Sequence, residues 1–465
     1  DKLAAQCPVF IFTGDIPALE NTTDKNKTIY VDVEYINMQD PSRSFTGKGI
    51  RLRPQGTSSM GYPKKNLRPY TGYGTMWDNM GNVIVDGLYS FADRAQPVNV
   101  WCLKADYAES SGTHNTGIAR LWNQVMSNAQ IDGEYKLRTE AQKAALAAGY
   151  KYDVRTTVDG FPVNVFYRLT ADSDLVYMGK YNFNNDKSTE SVFGFKDIPG
   201  FDNSKVQCWE VLNNGNHLAL FQDMDNFDTE WDQAYEARYP DKSTKVEDLK
   251  AFSEWVVSTK GDIEKFKTEK WDHLDVYKVA AYYIYLMRFG AVDQVIKNAM
   301  LMSEDGVKFF FINYDNDTIN GERNDGLLIY NYDIDRQTID TSFSALVYAY
   351  AGHESTLWNN LEADDEFMRI VSEVDNALYM AGLSYEKTID MFDNQQSGKW
   401  CERVYNQDAQ YKYIEPYTDS GINNLYMLQG ARSAHRRWWL SHRFDLLDSK
   451  FVSGAYKAKS IEFKA

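Results

Sequence analysis

The 465-residue sequence predicts an α+β fold, β-rich in its first half and mostly helical in its second. Three observations carry this. Up to about residue 245, apolar residues alternate in short runs bounded by turn formers, the pattern of strands and hairpins. From Glu247 onward the apolar period becomes helical. Hydrophobic residues make up 43% and aromatic ones 14%, enough for a large core. The expected organisation is a β-rich lobe over 1–245, a helical lobe over 246–450, and a tail or linker over 451–465.

Residues 8–12 and 28–36 read as the first two strands. A Gly/Ser/Thr loop follows Arg53-Pro-Gln55, with Gly56, Thr57, Ser58 and Ser59, and leads to Lys64 and Lys65. Such a loop offers unobstructed backbone N–H groups, and the lysines beyond it suit phosphate oxygens. It is equally the composition of a plain hairpin. Residues 98–104 form another strand ending at Lys104, followed by Glu109 and a helix with Ile118, Leu121, Trp122 and Val125 on one face. Lys104 and Glu109 fit the strand lysine and helix carboxylate of a nucleotide site, or a solvated lysine and an end-of-helix acid. A helix at 139–149 precedes two hairpin strands, 160–168 and 176–184, and a strand pair at 206–222 with Asn213–Asn216 as its turn. Residues 276–289 are a long apolar helix stopped by Gly290. Further helices are expected at 355–382, 385–396 and 426–447, the last carrying Arg432, His435, Arg436, Arg437 and Arg443.

The formal charge of −16 argues against nucleic acid or an anionic membrane as the main partner. Cys7, Cys102, Cys208 and Cys401 lack zinc-site spacing and suggest no disulfide framework. No apolar run reaches membrane-spanning length. The start, Asp1-Lys-Leu, has neither an initiator Met nor a signal-peptide layout, so a piece of a longer polypeptide is expected.

The chemistry concentrates between Asp293 and Asp325. Asp293 is followed five residues later by Asn298, and the apolar run Phe309–Tyr314 then delivers Asp315 and Asp317. This is the order in which phosphoryl-transfer sites supply a proton acceptor and metal-binding oxygens. Asp and Asn after a strand are also ordinary turn formers.

Taken together, Arg53–Ser59 with Tyr62–Asn66, Leu103–Tyr107 with the helix start at Asn115, Asp293–Asn298 and Tyr314–Thr318 resemble the spore-coat CotH family of atypical kinases. The resemblance implies a two-lobed, protein-kinase-like fold that binds ATP with Mg2+ or Mn2+ and phosphorylates protein Ser/Thr hydroxyls. It implies Asp293 as proton acceptor; Asn298, Asp315 and Asp317 as metal ligands; Gly56–Ser59 as the phosphate loop; and Lys64, Lys65 or Lys104 as phosphate contacts. The chain departs from the family in having Tyr314-Asp-Asn-Asp-Thr where Trp-Asp-x-Asp is usual, and Lys180 where a hairpin Glu is usual. Its wording resembles variants embedded in bacteriophage virion and tail proteins, with other virion proteins as implied partners. Two other readings stand beside it: an inactive structural module, and a metal-dependent glycosyl or nucleotidyl transferase using Asp315-x-Asp317.

Overall fold

The computed structural model describes residues 7–107, 109, 111–187, 193, 198–214, 217–218, 226–291, 294, 298–322, 326, 328–333, 355–396, 417–419, 422–424 and 429–453. In chain order the first part comprises β1 (Val9–Thr13), α1 (Pro17–Glu20), β2 (Ile29–Ile36), β3 (Phe45–Gln55), β4 (Asn66–Tyr70), β5 (Thr75–Asp78), β6 (Trp101–Lys104), α2 (His114–Asn128), α3 (Glu140–Ala147), β7 (Gly160–Arg168) and β8 (Val176–Asn185).

Seven of these strands close on themselves. The hydrogen-bonded order is β2-β1-β7-β8-β6-β4-β3, and β3 pairs back onto β2. The eighth strand, β5, attaches outside the ring to β3. Inside, side chains fill the barrel, as expected at this strand number. Phe10, Tyr35, Phe45, Tyr89, Trp101 and Phe183 are all buried there, with Trp101 and Phe183 ring centres 4.6 Å apart.

This closure corrects the two-lobed, kinase-like architecture that the family resemblance implied. The α+β composition holds, but the β-rich part is a barrel without the open edges of a kinase-type sheet. The physical reason lies in two long-range pairings. β1 runs parallel to β7, with Val9 opposite Asn164, and β2 pairs with β3 from Ile29–Leu52 to Tyr35–Phe45. Together they leave neither β1 nor β2 as an edge.

The second part contains β9 (Gln207–Val211), the short pair β10 (Asn213–Asn214) and β11 (His217–Leu218), α4 (Phe227–Ala234), β12 (Tyr235–Tyr239), α5 (Glu247–Ser258), α6 (Ile263–His273), α7 (Val276–Phe289), β13 (Met300–Ser303), β14 (Phe309–Ile312), α8 (Thr356–Ala363), α9 (Asp365–Met380), α10 (Tyr385–Asp390) and α11 (Gln429–Asp448). Strands β12-β9-β13-β14 form an antiparallel sheet. The turn expected at Asn213–Asn216 reaches beyond the described residues. Helix α7 is buried almost throughout and packs on β14, with Tyr282 stacked 5.0 Å from Phe311. It ends in a left-handed Gly290 at φ 55°, a conformation glycine adopts at little cost. The Arg288 guanidinium, buried near that end, makes two 2.8 Å bonds to Asp375 on α9.

Candidate active site

The barrel and the second sheet meet where β6 ends and where the chain leaves β14. Lys104, the last residue of β6, places Nζ 3.0 Å from Asp315 Oδ1. Both side chains are mostly buried, 11% and 25% exposed. Burial works to push the Lys104 ammonium down, but the Asp315 carboxylate outweighs it and holds the group well above the ordinary lysine value. Lys104 is therefore a fixed cation.

Asp315 sits at φ 56° and Asn298 at φ 53°, in the left-handed region that non-glycine residues rarely adopt. Both lie at one end of the β13–β14 hairpin. There Met300 opposes Ile312, and extending that register by two residues sets Asn298 against Tyr314. Gln294, fully buried, donates from its side-chain amide to the carbonyl oxygens of Tyr314 (3.0 Å) and Asp315 (2.6 Å), and its backbone carbonyl accepts from the Tyr282 hydroxyl. Asn316 is likewise fixed, its N–H donating to Asn115 Oδ1 on α2 at 2.8 Å. The segment after β14 is thus held from α7, from α2 and from β6. Asp293 itself lies outside the described residues.

A cleft of about 30 Å3 opens between these parts, lined by Ser59, Tyr62, Lys64, Asn66, Lys104, Asp106, Tyr107, Glu109, Asn115 and Asp317. Five residues singled out from the sequence therefore meet here: Ser59, Lys64, Lys104, Glu109 and Asp317. Gly56 and Thr57 precede Ser59 in the same loop. Gly56 has φ 114°, and a Cβ there would stand 1.9 Å from Ser59 Oγ. Ser58 contributes its backbone to the helical turn Ser58–Gly61. Asn66 ties the loop to the strand beside it, donating to Ser59 Oγ at 3.3 Å and accepting from the Ala105 N–H at 2.7 Å. Lys64 is almost fully buried and donates to the Lys180 carbonyl. Lys65 reaches back to the Tyr62 carbonyl at 3.3 Å, outside the cleft lining, and burial lowers its pKa.

Glu109 does not meet Lys104 in an ion pair; its carboxylate accepts from the Ser111 hydroxyl and from the N–H groups of Gly112, Thr113 and His114 at 3.1–3.2 Å. It serves the amino terminus of α2, where unpaired donors and the helix dipole favour an anion. Asp106, which composition alone did not single out, has φ 51° and faces the buried Lys180 ammonium at 3.2 Å and the Asn182 amide at 2.7 Å. Burial raises the Asp106 pKa, against the lowering effect of Lys180. The family departure at Lys180 thus supplies a buried partner for a cleft residue.

Two sets of groups bear on a metal. Asp315, Asp317 and Asn298 offer carboxylate and amide oxygens, the donors that Mg2+ and Mn2+ prefer. Glu109, His114 and Glu322 also approach one another, with ligand atoms within 4.8 Å. That buried group, however, already contains two cations. Arg432 pairs with Glu322, and Arg436 sits close enough to help hold the His114 pKa well below its ordinary value, after the larger effect of burial. Burial, which raises the Glu322 pKa, and the guanidinium groups beside it both work against a further cation there. A separate cavity of about 480 Å3 lies toward the other end of α2 between Arg94, Asn123, Arg138 and Tyr150, and shares no lining residue with the cleft.

Residues 201–419 match the family described as CotH kinase protein. The resemblance read from the motifs therefore holds for the segment that contains Asp293, Asn298, Asp315 and Asp317. The barrel, with the Gly56–Ser59 loop and Lys104, precedes it. No curated protein matches the chain.

Proposed function

We propose, from the CotH kinase match over residues 201–419 and the cleft that joins this segment to the barrel, that the protein is an ATP- and divalent-metal-dependent phosphotransferase acting on protein Ser/Thr hydroxyls. The observation that carries the proposal is the Lys104–Asp315 contact, which sets a fixed cation beside an oxygen ligand at a cleft walled by a Gly/Ser loop. Kinase-like sites work chiefly by positioning and charge neutralisation, tasks for which a fixed cation beside a carboxylate is suited.

In this reading Lys104 neutralises phosphate charge, and the Gly56–Ser59 backbone supplies N–H donors. Asp315 and Asn298, with Asp317, would hold Mg2+ or Mn2+; the bound ion shields the triphosphate as charge moves to the leaving group. The acceptor hydroxyl oxygen attacks the γ-phosphorus, the bond from that phosphorus to the β,γ-bridging oxygen breaks, and ADP departs with those electrons. Asp293 is assigned the hydroxyl proton from its place in the motif order. About 30 Å3 is room for an ion and a water, far below the 300–1,000 Å3 of ordinary small-molecule sites. Nucleotide binding therefore requires the loop carrying Ser59 and Tyr62 to move away from Asp317. That narrowness also favours a second reading, a kinase-like module without turnover.

The test is transfer of the γ-phosphoryl group from ATP to a generic protein acceptor, or to the chain itself, with Mg2+ or Mn2+. Transfer by the native chain and none by Asp315→Ala supports the first reading. Undiminished transfer by Asp315→Ala contradicts it, and no transfer by either protein favours the second.

A further inference from the structure

The basic helix α11 reaches the cleft wall through a continuous buried chain of contacts. Arg436 Nη1 donates to Thr113 Oγ1 at 2.8 Å and to Ser111 Oγ at 3.2 Å, across 323 and 325 positions of sequence. Its other nitrogen, Nη2, bonds Asp393 Oδ1 at 3.0 Å, and the guanidinium lies over the Phe392 ring at 4.8 Å. One turn earlier, Arg432 pairs with Glu322, whose Oε2 stands 3.1 Å from His114 Nδ1. Ser111, Thr113 and His114, with Gly112 between them, hold Glu109 through a hydroxyl or N–H groups, and Glu109 lines the cleft. Arg432, Arg436, Ser111, Thr113, His114, Glu322 and Glu109 are all at most 3% exposed.

Resting on the nucleotide-binding reading above, we propose that Arg436 is a positioning residue: it fixes the Ser111–Thr113 turn from α11 and thereby sets Glu109 and the adjoining wall of the nucleotide cleft. A guanidinium is suited to this task because its planar fork bonds two acceptors on one side and a carboxylate on the other without a change of geometry. The turn it holds contains the amino terminus of α2, which ordinary side-chain capping leaves unserved: Thr113, the residue before α2, makes no capping bond with its own side chain. With its hydroxyl given to Arg436, Thr113 passes the capping task to Glu109. The position of α11 and the order of the nucleotide wall are therefore coupled, and whatever displaces α11 weakens nucleotide binding.

The experiment compares the intact native chain with Arg436→Met, Arg436→Lys and Thr113→Val, the last removing a single acceptor from within the contact. Amide hydrogen exchange is followed at Gly112, Thr113 and His114, whose N–H groups bond Glu109, with α9 as an internal reference. We expect exchange at these three amides to rise about tenfold in Arg436→Met and less in Thr113→Val, with α9 unchanged and Arg436→Lys intermediate. In ATP turnover the same variants should raise KM for ATP several-fold while kcat stays within about twofold. Unchanged exchange at the three amides, or a rise equal in α9, overturns the proposal. Faster exchange without a change in KM overturns its link to nucleotide. Should Arg436→Met fail to fold, Thr113→Val decides by the same criteria. Failure of the native chain to bind or use ATP overturns the phosphotransferase reading instead, and the exchange data still judge the Arg436 contact.

Discussion

Lys104 and Asp315 are 211 positions apart in the chain, yet Lys104 Nζ lies 3.0 Å from Asp315 Oδ1. The contact joins the end of a barrel strand to a left-handed residue just past the second sheet, so this charge pair, together with the Asn316–Asn115 bond, ties the two parts of the candidate site to each other. Such a pair, mostly withdrawn from water, leaves an uncompensated charge when either partner is removed.

Lys104→Met should destabilise the chain by about 1–3 kcal/mol in urea unfolding, and Asp315→Asn by less, because Asn tolerates the left-handed backbone and keeps an acceptor. The double variant should recover about 1 kcal/mol relative to the sum of the singles. Strict additivity would show that the contact contributes nothing.

Asn298 should display a trade-off. Its φ of 53° is one that glycine adopts freely, so Asn298→Gly is expected to hold or raise stability by up to about 1 kcal/mol while removing an amide oxygen from the metal set. The paired measurement is Tm without ligand and the added rise with Mg2+ and ATP. A loss of stability together with full ligand response would contradict the assignment.

Glu322 predicts a pH signature. Burial, only partly offset by Arg432, raises its pKa from 4.5 to about 8. The folded chain therefore holds this proton more tightly than the unfolded chain. The resulting stabilisation is full below about pH 4.5 and is lost as pH rises through 8. Native stability minus that of Glu322→Gln, which cannot ionise, should accordingly fall between pH 5 and pH 8. His114, buried and neutral, has the opposite dependence and is present in both proteins. A difference that stays flat across this range would show that Glu322 is ionised throughout.

The paired bonds from Arg288 to Asp375 anchor α7 to α9 just before the chain enters the site segment. Asp375→Asn should cost about 1–3 kcal/mol, since Arg288 loses its two-bond carboxylate partner but keeps Asp448 at 2.7 Å. Chemical denaturation checks this, and a loss below about 1 kcal/mol would mean that the pair is better solvated than its burial implies.

Most elements were legible because each rests on local pattern. Alternation marked residues 28–36 and 160–168, and helical period with a terminal glycine marked 276–289. Barrel closure was not legible, because the parallel pairing of Val9–Thr13 with Asn164–Arg168 has no local signature. Motif order singled out Ser59, Lys104 and Asp317, which line the cleft, and Asp315, which contacts Lys104. Glu109 takes the end-of-helix role that the sequence left open for it, while Asp315, the partner of Lys104, is near it only in space. Asp106, inside the Leu103–Tyr107 motif, and Arg436, inside the basic cluster of the last helix, were given no specific contact, because their contacts to Lys180 and to the Ser111–Thr113 turn are not revealed by spacing.

The most direct test of the account is a thermal-shift titration with ATP, with and without Mg2+ or Mn2+, on the native chain and on Asp315→Ala. At about a hundred times its Kd, ATP should stabilise the native chain by about 2.7 kcal/mol, in a metal-dependent manner that Asp315→Ala abolishes. No metal-dependent shift in the native chain, or an equal shift in both proteins, would contradict a nucleotide site at the Lys104–Asp315 contact.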